Sequence, residues 1–565
     1  MTHPSKRLIK RYSAKEKSDG FVNGWARSMR ARHILAVLNR CAAAAVLLLM
    51  SPAAGEPQKF EPTAIQKAAQ ASFPEFLALL SLPNDAVNAA DIRKNVDWLE
   101  TAFQKRGFNT RQLPNNGKPL VFAEYRGKID HAKTILFYMH FDGQPVVPEK
   151  WAQESPWIPA VKRLKANADA KPAPLRTFTL VQNISSNQWE VADPHVLYEE
   201  TLDPELRIFS RSSSDDKAPI MMFLAAFDLL KEKGIEPAIN VKVLLDSEEE
   251  KNSPGIAAVT AANRDLLQAD AILIHDGPMH VSNRPTMIFG NRGVTFLRLT
   301  VYGPKSDLHS GHYGNYVPNP AQRLAALLAS MKDGDGRVKV GGYYDGIHLT
   351  ETERQMLAAV PEDEEALKKR VGIAKSEKVG HNYQEALQYP SLNIRGLSSG
   401  QVGEKASNII PATATAELDL RTTPGASATY LTAALQDHIR AQGYYLIDRE
   451  PTDEERAAHD KIAAVSVGDG SDAAFTDAGA AAGAWVQTAL EKAFAQGNEP
   501  PQIVRIRMMG GSVPTDKLVG TLDLPFVIVP LVNPDNNQHT HNENLRVGHY
   551  LQGIRAFTGL LQMPF

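Results

Sequence analysis

Five side chains of this sequence have the types and settings of metal ligands. They are His140 in Tyr138-Met-His-Phe-Asp142, Asp215 in Ser214-Asp-Asp-Lys217, Glu250 in Ser247-Glu-Glu-Glu250, Asp276 in Ile274-His-Asp-Gly277 and His539 in Gln538-His-Thr-His-Asn-Glu543. Imidazole mixed with carboxylate suits zinc and its neighbours, oxygen-only sites suit magnesium or calcium, and thiolate sites need cysteine, of which there is one. The set points to metal-assisted hydrolysis. Read singly, each residue has a commoner use: Asp215 and Asp216 as helix cap and first-turn acid, Glu248 to Glu250 as a solvated acidic turn, a lone histidine as a partly buried core residue. Three choices stay open on the residues alone: His541 competes with His539, His275 with Asp276, and the three glutamates leave undecided which one binds metal.

The elements that must position these residues are short apolar runs. Thr134 to Met139, Asn240 to Leu245, Ala271 to Ile274 and Pro525 to Val529 read as strands buried on both faces, and each is followed within about ten residues by a candidate ligand. In open α/β sheets ligands bind beyond the carboxyl ends of the strands, so residues far apart in sequence can converge there. Asp215 precedes an apolar helix, Ala218 to Leu230. The alternation of strands and helices from about residue 62 predicts an α/β fold with a central sheet flanked by helices.

A second unit interrupts it. Strand, helix, strand, strand, helix, strand over Val294 to Val301, Asn319 to Met331, Leu392 to Arg395, Thr413 to Arg421, Thr429 to Ala441 and Tyr444 to Ile447 gives a βαββαβ order. This smaller α+β domain is placed at 294–452, which leaves 56–293 and 453–565 for the first. Trp151 to Ser210 shows no clear periodicity and reads as a surface excursion near the mouth of the site. Residues 333–390 are polar, with Glu362-Asp-Glu-Glu365 read as a solvated face.

At 565 residues the chain exceeds one hydrophobic core, and 22% charged with 43% hydrophobic residues is ordinary for a globular protein. A net charge of -2 gives no footprint for nucleic acid or anionic membrane. Residues 1–55 read as an export signal: Arg30, Arg32 and Arg40, the apolar run Cys41 to Met50, then small residues at Ser51 to Gly55, with Met29 as an alternative start. The apolar run is about half of the ~20 residues a membrane span needs. The expected location is secreted or periplasmic, with no stable membrane span once the signal is removed and no disulfide.

In this order, Met139-His-Phe-Asp-Gly-Gln-Pro145, Ser213-Ser-Asp-Asp-Lys217, Glu248-Glu-Glu250, His275-Asp276, Asp307-Leu-His-Ser-Gly311, Gly510-Gly-Ser-Val-Pro514 and His539-Thr-His-Asn-Glu543 resemble metallopeptidase family M20, in its carnosine dipeptidase-like and carboxypeptidase branch. The resemblance implies a zinc-exopeptidase-like catalytic domain interrupted by a lid or dimerisation domain. It implies two Zn2+, with Co2+ or Mn2+ as substitutes: His140 and Asp276 on one, Glu250 and His539 on the other, Asp215 bridging, and a hydroxide between them. Asp142 would orient His140, Glu249 would be the general base, and His309 would stabilise the tetrahedral intermediate from a partner subunit. Asn408, Arg421, Gly510, Gly511 and Ser512 would contact substrate. The family pattern favours His539, Asp276 and the order Glu249 base, Glu250 ligand. The chain departs from that pattern at Ser210-Arg-Ser212, Ala218 and Lys251-Asn-Ser253.

The reading is therefore an exported homodimeric dipeptidase or carboxypeptidase acting on short peptides with a free C-terminal carboxylate. An N-acyl-amino-acid deacylase is the alternative, and a catalytically silent peptide-binding protein is the third.

Overall fold

The computed structural model describes residues 57–165, 189–495 and 500–565, and the expected export signal lies outside them. Strand Thr134–His140 shows how the first lobe is built. Its side chains alternate between faces, so Ile135, Phe137 and Met139 enter one hydrophobic core and Leu136 and Tyr138 another. Burial on both faces is why the run reads as continuously apolar. The strand pairs in parallel with Asn240–Asp246, in register from Thr134 opposite Asn240 to His140 opposite Asp246, and with Ala271–Ile274 on its other side. Phe526–Ile528 adds in parallel to Ala271–Ile274. These are the middle of an eight-stranded sheet completed by Asn109–Leu113 and Leu120–Tyr125 at one edge and Thr286–Ile288 and Val504–Ile506 at the other.

Helices cover both faces. Lys217–Glu232 is apolar almost all round, with Ile220, Phe223, Leu224 and Phe227 buried, because it lies between the sheet and helices Pro62–Leu80 and Val547–Gln562. The opposite face carries Ile256–Ala262 and Thr515–Leu522. With the central strands parallel, their carboxyl ends lie along one edge, and the loops after residues 140, 246, 274 and 528 start there.

The second lobe is a five-stranded sheet in the order Ser391–Ser398, Thr413–Thr422, Gly293–Tyr302, Ile462–Val467, Tyr445–Ile447. Leu297, Leu299 and Val301 face helices Pro320–Met331 and Ala428–Ala441, while Arg298 between them is exposed. The sheet runs past the expected boundary at 452: Ile462–Val467 pairs antiparallel with Gly293–Tyr302 and parallel with Tyr445–Ile447, so the latter is an edge and not the last strand. Its alanines and serine, Ile462-Ala-Ala-Val-Ser-Val467, give little apolar contrast along the sequence.

Two other stretches differ from expectation. The 151–210 excursion contributes Ala160–Leu164, Trp189–Val191 and Arg207–Phe209 to a four-stranded sheet with Asn544–Arg546, strands too short to show a period; residues 166–188 lie outside the described set. The acidic Glu362 to Glu365 run is not merely solvated. Asp363 Oδ1 accepts from Ala366 N at 2.9 Å as a helix cap, Glu362 lies 3.3 Å from His280, and Glu364 accepts from Tyr383 N at 2.8 Å.

Candidate metal centre

Four loops at the carboxyl edge of the large sheet deliver His140, Glu250, Asp276 and His539 to one place, and the turn before helix Lys217–Glu232 adds Asp215. His140 ends its strand and is fully buried, and its Nε2 lies 2.9 Å from Asp215 Oδ1. His539 Nε2 approaches the other oxygen, Asp215 Oδ2, at 3.0 Å and Glu250 Oε2 at 3.2 Å. Asp215 thus touches a histidine with each carboxylate oxygen. Donor atoms of His140, Glu249 and Asp276 lie within 4.8 Å of one another, and so do those of Asp215, Glu250 and His539. These are two adjoining ligand groups. His539 reaches its group from a coil in which Asn537, His539 and Asn542 all take positive φ, a region that Asn and His enter more readily than most residues.

The surrounding backbone fixes these side chains. Asp142 accepts from Glu249 N at 3.0 Å with one oxygen and from Glu250 N at 3.1 Å with the other, and stands 3.3 Å from His140 Nδ1. It therefore positions the glutamate turn as well as the imidazole. Gln144 Nε2 donates to Glu250 Oε2 at 2.6 Å. Asp216 makes no capping bond for the helix that follows; its Oδ2 accepts from His140 N at 3.2 Å. The sequence reading gave no role to Glu543, which is fully buried and organises the Asp215 turn: it accepts from Ser212 N, Ser214 N and Asp215 N at 2.9 to 3.0 Å and from Arg211 Nη1 at 2.7 Å. Breaking a buried ion pair by removing one partner costs about 3–5 kcal/mol. The signal available was an acid ending an otherwise neutral polar turn, which shows nothing of what it faces.

Side-chain direction separates two of the three open choices and narrows the third to Glu249 and Glu250. Glu248 turns away to Asn115 Nδ2, 2.8 Å off, and to Lys118, leaving Glu249 and Glu250 to the cluster. His275 points into the core, its Nδ1 on Val529 O at 3.0 Å and its ring 4.5 Å from that of Phe557, and burial pushes it down to about 3; Asp276 faces the cluster instead. The ring of His541 meets Thr540 Oγ1 at 3.2 Å and joins neither ligand group.

The electrostatics fit bound cations. Burial, reinforced by neighbouring carboxylates, pushes Glu250 up to about 8, Asp276 up to about 6 and Glu249 well above the usual range. Burial also disfavours charge on Asp215, but its bonds to His140 and His539 outweigh this and hold it low, while His539 rises to about 9 on Asp215. Four carboxylates and two imidazoles are thus packed where like charges repel unless positive charge is supplied, and the donor chemistry is that of zinc and similar divalent ions.

The candidate substrate contacts fall in two other places. Arg421 Nη1 lies 3.3 Å from Ser512 Oγ, which donates to Arg292 O at 2.7 Å, so Arg421 joins the Gly510-Gly511-Ser512 turn instead of pairing with Asp419, whose Oδ2 accepts from Asn393. Neither glycine takes a positive φ. His309 and Asn408 sit together on an exposed corner of the second lobe, where Ser310 N donates to Asn408 O at 3.0 Å and His309 Nδ1 accepts from Gly311 N. Among the described residues, neither joins a ligand group.

Comparison with known proteins agrees. Residues 289–445 match the M20 peptidase dimerisation domain. A Cys-Gly metallodipeptidase of Schizosaccharomyces pombe is 26% identical over 86% of this chain and 92% of its own length, and a mouse beta-Ala-His dipeptidase is 24% identical over 83% and 85%. An M20 metallo-carboxypeptidase from Sulfolobus solfataricus superposes with a TM-score of 0.65 at 24% identity, covering 87% of this chain and 98% of that one; a Saccharomyces cerevisiae di-peptidase gives 0.62 at 19%, covering 89% and 98%. Sheet, paired ligand groups and relatives concur along nearly the whole described chain, which is similar to the M20 metallopeptidases and is a peptide hydrolase.

Proposed function

We propose that the chain is an exported, zinc-dependent exopeptidase that cleaves short peptides carrying a free C-terminal carboxylate. The observation that carries this is the contact of Asp215 with both His140 and His539, one through each oxygen, at the junction of two ligand groups. Bound there by His140, Asp276, Asp215, Glu250 and His539, two divalent cations supply Lewis acidity toward the scissile carbonyl and make water acidic enough to react near neutral pH.

The protein's own groups do the rest. Glu249 shares the pocket of His140 and Asp276, and its carboxylate takes the proton from the attacking water and returns it to the nitrogen of the leaving amine. Asp142 holds the Glu249 amide and the His140 imidazole together, so base and ligands keep their relative placement. Arg421 with the Gly510-Gly511-Ser512 turn offers a guanidinium fork and backbone N–H groups to an α-carboxylate. His309 and Asn408, exposed and adjacent, serve the oxyanion and the substrate of a second subunit in a homodimer. Export rests on the sequence of residues 29–55; among the described residues no helix is long and apolar enough to cross a membrane.

The test is a panel of free dipeptides, their C-terminal amides and N-acyl amino acids assayed side by side with zinc-loaded protein. Free dipeptides should be cleaved roughly 100-fold or more faster than amides, because a substrate without the anion forfeits the charged pairing with Arg421 and the turn's N–H groups. Equal rates on amides, or cleavage confined to N-acyl amino acids, would overturn the reading, the second in favour of a deacylase.

A further inference from the structure

The 333–392 stretch, polar in sequence, encloses a cavity of about 440 Å³ against the second-lobe sheet. Its walls are mostly apolar: Leu367, Val371 and Ile373 on the helical side, Tyr344, Tyr389 and Leu392 from the rest. Val371 and Ile373 are 56% and 47% exposed and Tyr383, also in the wall, 41%, so apolar side chains there remain wet. That arrangement costs free energy unless a ligand covers it.

The charged side chains in the wall are committed, with one exception. Lys332 pairs with Glu377 at 3.0 Å, and Glu364 accepts from Tyr383 N. Arg292 is different. It is 7% exposed and donates from Nη2 to Tyr389 O at 2.9 Å, while its buried Nε meets no acceptor, and among the described residues no carboxylate forms an ion pair with it. Burial, then the charge of nearby Arg421, brings it down to about 10. A guanidinium that is desolvated, underused in hydrogen bonds and next to another cation is a site for an anion.

The cavity also shares a wall with the substrate-reading turn. Leu387 lines it and lies 3.4 Å from where a Cβ on Gly510 would stand, and Arg292 O accepts from Ser512 Oγ. We propose that this cavity is a second ligand site, taking a small carboxylate with a branched or aromatic apolar body, the anion on Arg292 and the body against Leu367, Val371 and Tyr389. A free amino acid released by hydrolysis has that chemistry, whereas the C-terminal carboxylate of a bound peptide is taken by Arg421 in the proposed function.

The experiment is calorimetry of full-length, metal-loaded protein with L-phenylalanine and L-phenylalaninamide, on the wild type and on Arg292→Met and Leu367→Trp. Phenylalanine should bind the wild type at least about tenfold more tightly than the amide, and both variants should weaken it about tenfold or more, Leu367→Trp by filling the space with Arg292 intact. Leu367 is outside the catalytic groups, so Leu367→Trp should leave hydrolysis of a glycine-ended dipeptide unchanged. Phenylalanine should also change turnover of the glycine-ended dipeptide without competing, and Leu367→Trp should remove the effect. A rise in KM for a phenylalanine-ended dipeptide alone in Leu367→Trp would make the cavity part of the substrate site and overturn a second one. Absent binding, equal binding of acid and amide, or phenylalanine binding Leu367→Trp as it does the wild type overturns it. Calorimetry needs no peptidase turnover, so the site and the proposed function fail separately.

Discussion

The ligand cluster and the His309–Asn408 corner are opposites in how far one chain finishes them. In the cluster, His140, Asp142 and Asp215 are at most 5% exposed, and each is held by a partner from another loop: Asp215 by two histidines, Asp142 by the amides of Glu249 and Glu250, the Asp215 turn by Glu543. At the corner, His309 and Asn408 are exposed and lie on or beside the two-residue strands Leu308–His309 and Ile409–Ile410, which pair with each other. Burial with partners from distant loops makes geometry that the fold itself enforces. An exposed pair of two-residue strands holds a side chain where something else must meet it. The difference teaches that the ligand cluster is built by this chain's own packing, whereas on the proposed reading His309 and Asn408 act only when a second subunit meets them.

The sharpest way to break that contrast is at Asp215, where one residue joins both ligand groups. Asp215→Ala should lose bound metal as well as activity, read by metal analysis alongside turnover; an active, metal-free variant would dissolve the cluster as a catalytic centre. Next comes Glu249→Gln, which keeps shape and removes the proton acceptor: kcat should fall by about 10²–10⁴ with metal content unchanged. His309→Ala should cost about 10²–10³ in kcat, the size of a lost oxyanion donor. Mixing it with Glu249→Gln under subunit exchange should restore partial activity, and demonstrated exchange with no recovery would place His309 outside a shared site. Arg421→Ala should slow free dipeptides by about 10²-fold and narrow their advantage over the amides, seen in kcat/KM for each. Smallest is Glu248→Gln. Its carboxylate faces Asn115 and Lys118, so melting temperature should fall modestly, for a loss of about 1–3 kcal/mol, while kcat stays near that of the parent.

By itself the sequence determined the central strands and where candidate ligands would gather, because fully apolar runs name buried parallel strands and His140, Glu250, Asp276 and His539 follow at their carboxyl ends. It also determined most of the second lobe, whose longer elements carry clear periods. Tertiary structure decided the matters of direction. His275 and Asp276 are neighbours, yet one enters the core beside Phe557 and the other faces the cluster, and the same turn sends Glu248 to Lys118 and Glu249 and Glu250 inward. The closing strand Ile462–Val467, the grip of Glu543 on the Asp215 turn and the lone Arg292 in its cavity needed the folded chain as well. A residue's type states which partners it can satisfy, but which partner it meets depends on groups tens to hundreds of residues away, brought near by packing alone.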